Sequence, residues 1–174
     1  GRIDFDSSYT PADLTLLTTG AQAIINNGGS GGSALLAIAF AYEWLARCNG
    51  HVLLKTADQI IYYDNAGKKI DFSAQLGLAK FGATVTRAVN FPLDTPISDA
   101  SAKALLESKL ATLSAAASNV VVADQWNRGV LVVVTPLEAS ATNLLTALSG
   151  IDAQKRSVHI VIIIVTDGSD LWLY

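Results

Sequence analysis

Ser157 to Tyr174 read SVHIVIIIVTDGSDLWLY, and Val158 to Val165 within this stretch are valine and isoleucine except at His159. β-Branched side chains are stiff and fit a pleated surface, so the stretch predicts a β-strand. A strand with one face in water alternates apolar and polar residues; this one does not, so both of its faces should be covered. It is too short to cross a bilayer as a helix, which needs roughly 20 apolar residues. The cover must come from the rest of the chain or from another copy of it.

The composition of the 174-residue chain points in the same direction. Hydrophobic residues make up 51% of it and charged residues 16%, whereas charged residues make up about 25% of a typical soluble domain. Since no membrane insertion is expected, this excess predicts surface that is buried against partners, most simply in a homo-oligomer. The net charge of −3 offers no basic surface to nucleic acid, so no nucleic-acid partner is expected.

One segment predicts a helix clearly, over about residues 97–117. Pro96 precedes Ser98 and Asp99, either of which is a good N-cap. Three leucines then follow at coiled-coil spacing, which predicts a short seam between helices. The seam is too short to associate alone, so we expect it to set the register of a larger assembly. Its residues are Leu106, Leu110 and Leu113.

Other segments favour strands or leave the choice open. Residues 59–63 and 68–72 flank Asp-Asn-Ala-Gly, which predicts a hairpin, and residues 119–134 predict a second one. Residues 83–91 also favour a strand. The choice between helix and strand is open in three segments, where alanine and leucine favour a helix. Threonine, serine, asparagine or glycine oppose a helix in residues 11–27 and 137–149, and in residues 34–47 apolar residues on all sides would require full burial. These segments are residues 11–27, 34–47 and 137–149.

No motif of catalysis, metal binding or cofactor binding emerges from the sequence. His51 and His159 lack a second ligand at metal-binding spacing, and the single cysteine, Cys48, has no histidine near it to activate it. Neighbouring aspartates, Asp4 with Asp6 and Asp167 with Asp170, are more typical of solvated turns than of a cation site. The glycine-rich residues 26–33 lack the Lys-Ser/Thr of a phosphate-binding P-loop, so a flexible connection is favoured there. We therefore predict a non-catalytic protein without metal or cofactor.

Aromatic side chains are the better candidates for binding. Tyrosine and tryptophan combine a broad apolar ring with a polar group, a combination that suits stacking on sugars. Packing in the core or in a subunit interface is the simpler alternative for each of them. The candidate glycan-binding residues are Trp126, Arg128, Tyr62, Trp172 and Tyr174.

Two stretches resemble a known family. LDTPISDASAKALLESKLATL, residues 93–113, resembles the linker-helix phrase of bacteriophage tail-fibre proteins, and residues 130–174 are similar to a β module of such fibres. The resemblance implies a trimeric virion fibre that binds host-surface glycans, with strands at residues 34–47 and 137–148, and it transfers no catalytic residue. The family's module continues beyond the position of Tyr174, and similar phrases stand near Gly1. We therefore expect a fragment of a longer protein or a permuted order.

These observations combine into one favoured architecture. We expect a mainly β protein, a β-sandwich or interwoven β-prism with one short helix, divided into residues 1–91, 92–118 and 119–174. Its function would be structural and adhesive, on a phage particle. The alternative is an open α/β sheet that binds a small ligand or nucleotide at the carboxyl ends of its strands. Candidate subunit-interface residues are Leu106, Leu110, Leu113, Val161 and Ile163.

Overall fold

The strands of the described residues form a single mixed sheet. The computed structural model describes residues 1–27 and 32–174, and six strands lie in this part of the chain in the spatial order β1-β6-β5-β4-β3-β2. The strands β1, β6, β5 and β4 run parallel to one another, while β3 is antiparallel to both β4 and β2. The bounds are β1 Arg2–Phe5, β2 Val52–Thr56, β3 Phe72–Leu76, β4 Ala79–Arg87, β5 Arg128–Thr135 and β6 His159–Gly168.

Helices cover both faces of this sheet, because alternate residues of the central strands point to opposite sides. On β5, Val130, Val132 and Val134 pack toward α1 and α2, whereas Leu131 and Val133 pack toward α3 and α4. The two hydrophobic cores therefore share one sheet. The helices are α1 Thr19–Asn27, α2 Ser33–Asn49, α3 Asp99–Asn119, α4 Glu138–Ser149 and α5 Ala153–Ser157, with 3-10 turns at Pro11–Leu16, Ala57–Gln59, Val122–Asp124 and Leu171–Leu173.

The prediction of a mainly β protein is wrong. The chain is 46% helical and 25% strand, which fits the alternative of an open α/β sheet. Helices of the same chain lie on both faces of the sheet, but of the apolar run of β6 only Ile164 and Val165 are buried, while Val158 and Ile160 are exposed. Strands from residues 1–91 and 119–174 join this one sheet, and α3 packs on it.

Both predicted hairpins are also wrong. Residues 68–72 do not pair with residues 59–63, because β3 pairs with β2 on one side and β4 on the other. Tyr62, in the first of these segments, instead forms an isolated bridge with Val120. The hairpin predicted over residues 119–134 is absent as well, because β5 pairs with β4 and β6. A tight turn joins the adjacent strands β3 and β4 at Gly77. The φ of Gly77 is +58°, a conformation that glycine adopts without strain.

The segments left open by the sequence are helical. Residues 34–47 lie in α2 and residues 137–149 largely in α4, so the strands implied there by the fibre resemblance are absent. Residues 11–27 form a 3-10 turn and α1. The glycine-rich connection falls mostly on residues 28–31, outside the described residues.

The predicted helix is confirmed as α3, and Ser98 is its N-cap, with the side chain accepting a hydrogen bond from the Ser101 N–H. The leucine seam, however, packs inside the chain. Leu106, Leu110 and Leu113 are at most 2% exposed and contact β5 and α4 in one hydrophobic core. Their coiled-coil spacing thus serves the packing of a helix on its own sheet, which leaves these side chains no surface for a partner subunit.

Candidate functional site

The carboxyl end of β4 extends past the beginning of β3 and leaves a notch in the sheet. Asp71, just before β3, bridges part of it: its backbone N–H donates to the Ala83 carbonyl at 2.9 Å, and its Oδ2 accepts from the Val85 N–H at 2.6 Å. A side-chain carboxylate therefore takes the place of a strand's carbonyl. Beyond it, Thr86 and Arg87 of β4 have β5 on one side and no β3 partner on the other.

Because the sheet is interrupted there, helices from both faces reach the same pocket. The first turns of α2 contribute from one face, and Lys109 of α3 contributes from the other. The pocket has a volume of about 250 Å³. We call it the notch pocket, and it is lined by Ala34, Ala37, Ile38, Asp71, Val85, Thr86, Arg87 and Lys109.

Asp71 is the residue of this pocket with an unusual acidity. Burial raises the pKa of Asp71 to about 6, although the hydrogen bond from Val85 and the nearby charge of Lys109 both oppose the rise. The carboxyl group is therefore poised to gain or lose a proton close to neutral pH. Above this pKa the pocket carries one negative and two positive side chains; below it, only the positive charges of Arg87 and Lys109 remain.

Arg87 connects the pocket to the end of the chain. Its Nη1 donates to the Leu173 carbonyl at 2.9 Å. That last segment is itself fixed, because Thr166 donates from Oγ1 to Asp170 at 2.6 Å and contacts the Tyr174 hydroxyl at 2.5 Å. Burial raises the pKa of Tyr174, so its hydroxyl keeps its proton and serves these hydrogen bonds. These contacts limit the freedom of the Arg87 guanidinium.

The notch pocket has the chemistry of an anion site. Two cationic side chains converge on it, and the first turns of α2 line it; the amino end of a helix carries a partial positive charge. It is unlike a metal site. Within residues 1–27 and 32–174, no group of three or more histidine, cysteine, aspartate or glutamate side chains is placed to hold a metal ion.

The five predicted glycan-binding residues do not form one site. Trp126 lies just before β5, and its ring covers Gly82. Arg128 is the first residue of β5 and donates a hydrogen bond to the Ser157 carbonyl. Tyr62 is only 5% exposed, with its hydroxyl accepting from the Ile70 N–H. Trp172 and Tyr174 lie at the opposite end of the sheet, where Trp172 packs edge-on against Phe5 and Phe40. Glycan binding by any of them remains a prediction.

The histidine and cysteine candidates also have defined surroundings. The Nε2 of His159 lies 2.9 Å from the Oγ of Ser114, which donates its own proton to the Leu110 carbonyl. His51 faces the Leu45 carbonyl through Nδ1, and Cys48 is exposed. Burial lowers the pKa of both histidines, which favours their neutral forms near pH 7.

Of the predicted interface residues, Val161 and Ile163 alone keep some exposure. They are partly buried on β6, beside α4 and the short edge strand β1. The residues of the notch pocket, in contrast, were not predicted from the sequence. Asp71 within the apolar run IDF was the available signal, because a lone acid at the start of a buried strand requires a local partner.

Comparisons with known proteins leave the family open. No family model matches the chain, and no solved structure matches it. A curated protein of Dictyostelium discoideum, the "AAC-rich mRNA clone AAC4 protein", is 30% identical over 159 residues, which cover 87% of this chain. The chain spans 23% of the length of that relative. The relative's name states no activity, and nothing in the comparisons points to phage tail fibres. No helix in the described part of the chain is long and apolar enough to cross a membrane.

Proposed function

We propose that this chain is a small α/β ligand-binding domain whose notch pocket holds an anionic group, such as a phosphate or sulfate group of a small molecule. The observation that carries the proposal is the convergence of Arg87 and Lys109, from a strand and a helix, on one pocket beside the first turns of α2. The position also supports it, since open α/β sheets bind ligands at the carboxyl ends of their strands.

Asp71 gives this site a dependence on pH. When its carboxyl group is ionised, its negative charge competes with a bound anion for the two cationic side chains. When it is protonated, it can donate a hydrogen bond to an anion instead. Anion affinity should therefore rise as the pH falls through about 6, the folded-state pKa of Asp71.

The proposal is one of binding without catalysis. Among the lining residues whose side chains the structure describes, Asp71 is the single carboxylate, and none is a serine, cysteine or histidine. The fibre-module function and the virion location implied by the resemblance remain predictions. They lose the support that a β module would have given them, because the fold is not mainly β.

Titration of the protein with inorganic sulfate, followed by NMR chemical shifts, tests the site. Sulfate is the suitable probe because its own charge is constant between about pH 5 and 8, so any pH dependence belongs to the protein. Lys109→Ala should weaken binding by about tenfold or more, the value of one charge-assisted hydrogen bond. Lys109→Arg should restore part of the affinity.

Lys103→Ala is the matched control, because Lys103 is an exposed lysine earlier on the same helix and does not line the notch pocket. It should leave sulfate affinity unchanged. Equal losses in the two alanine variants would mean that sulfate responds only to net charge. Shifts confined to residues far from Val85 and Thr86 would place the anion elsewhere, and the proposal would be wrong.

A further inference from the structure

The sheet is incompletely covered on the α4 side, over β6 and β1. A trough of about 420 Å³ runs there between α4 and the edge strand, and the side chain of Leu145, on the α4 wall, is 60% exposed. We call this surface the α4–β6 strip. Its lining is mainly apolar and consists of Gly1, Glu138, Ala141, Leu145, Val161, Ile162, Ile163 and Val165.

One end of the strip is acidic. Glu138 is the first residue of α4, at the carboxyl edge of the sheet, and its carboxylate lies 3.4 Å from the Arg2 guanidinium of β1. The same guanidinium also pairs with the carboxylates of Asp4 and Asp167. The single guanidinium is therefore surrounded by three carboxylates. All four side chains are about half exposed or more, so the excess negative charge faces solvent.

The opposite end of the strip is basic. The helix α5 lies at the amino edge, where its Ser157 carbonyl accepts from Arg128 at the start of β5. Lys155 and Arg156 of α5 are exposed there. Asp152, the N-cap of α5, is a carboxylate at this end, and it leaves the group of Arg128, Lys155 and Arg156 with a net positive charge.

From this arrangement we propose that the α4–β6 strip binds a second copy of the chain around a two-fold axis. When two copies are related by a half-turn about an axis perpendicular to the middle of the strip, the acidic end of each copy lies on the basic end of the other. The apolar centre then meets itself, so each Leu145 side chain enters the trough of the other copy. A surface with opposite charges at its two ends is complementary to itself in this way, as a two-fold interface requires.

Charge reversal tests both the contact and its symmetry. Sedimentation equilibrium of the intact chain should give twice the 18.3 kDa mass of one chain. Glu138→Lys and Lys155→Glu should each raise the dimer dissociation constant by about tenfold, because each brings like charges together twice. An equimolar mixture of the two variants should recover the dimer, since every contact is then attractive again.

Substitution at the centre separates this surface from others. Leu145→Asp should abolish the dimer without unfolding the chain, because the side chain is mostly exposed. Leu78→Asp is the control: Leu78 is 98% exposed in the β3–β4 turn, away from the strip. A wild-type chain that remains monomeric, a trimer, or a dimer that survives Leu145→Asp would each overturn the proposal.

Discussion

Asp71 shows how one side chain can both complete a sheet and make it sensitive to pH. Its Oδ2 accepts a hydrogen bond from the Val85 N–H, which has no partner on β3. To make this bond, the carboxyl group must lie in a buried position. The raised pKa, about 6 against 3.8, means that the folded state binds the proton more tightly than the unfolded state. Stability from this group is therefore fully present below about pH 4 and is lost as the pH rises through about 6.

Asp71→Asn should raise the free energy of unfolding at about pH 7.5 by up to about 3 kcal/mol, which corresponds to the pKa difference of about two units. The amide oxygen still accepts the Val85 N–H, whereas the buried charge is gone. Urea denaturation at about pH 7.5 and again at about pH 4 checks this, because the gain should vanish at the lower pH. A gain of the same size at both pH values would mean that ionisation of Asp71 is not its cause.

Individual site residues were hard to foresee because their roles depend on where strands end. Lys109 is one of two lysines on α3, and it lines a pocket because β3 begins at Phe72 and leaves the end of β4 without a partner on that side. Trp126, in contrast, was a natural binding candidate by residue type, yet its ring lies over Gly82. Residue type alone does not distinguish a ring that packs from a ring that binds.

Among the elements, α4 illustrates how a helix face is divided between core and surface. Leu144 and Leu145 are adjacent, but Leu144 is fully buried and Leu145 is 60% exposed. Leu144→Ala should cost about 2–5 kcal/mol of unfolding free energy, as is usual for a buried leucine. Leu145→Ala, measured in the same urea titrations at a concentration where the chain is monomeric, should cost about 0.5 kcal/mol or less. Similar costs for the two variants would contradict the orientation of α4.

The elements that the sequence predicted well were those with local signals. The helix α3 has a capping serine and a regular leucine spacing, and the strand at Val158 to Val165 has a run of β-branched residues. Hairpins were predicted from turn residues at Asp64 to Gly67, but the partner of β3 is chosen by tertiary packing. The alanine-rich α2 is apolar on all sides and becomes helical where it is buried against the sheet.

At the level of the whole molecule, the apolar composition can serve two uses, a core inside the chain and a contact with a second copy. Many of the apolar residues pack inside the chain, in two cores that share β5, and the expected oligomer remains a prediction. The resemblance to fibres rested on valine, alanine and leucine phrases, which buried strands and helices of many folds contain. Such phrases carry little information about topology, because topology depends on contacts between residues far apart in sequence.

Two cores on one sheet should unfold together. Ile24→Ala alters the core on the α1 and α2 side, and Leu144→Ala alters the core on the other side; both residues are at most 1% exposed. Each substitution should shift the entire urea transition, with coincident curves from circular dichroism and from tryptophan fluorescence. Two separate transitions, with one substitution affecting only one of them, would show that the faces unfold independently.

The pairing of β1 with β6 also has a consequence during synthesis. Arg2 lies beside Val165, so the first of the six described strands pairs with the last of them. Until β6 emerges, β1 has no neighbour in the sheet, and β5 is open along one side. Closing such a long loop delays folding, since distant contacts form only after their entropy cost has been met. Between the synthesis of β5 and that of β6, a valine-rich strand edge is available to other chains, and chaperone binding at β5 would be most useful during this interval.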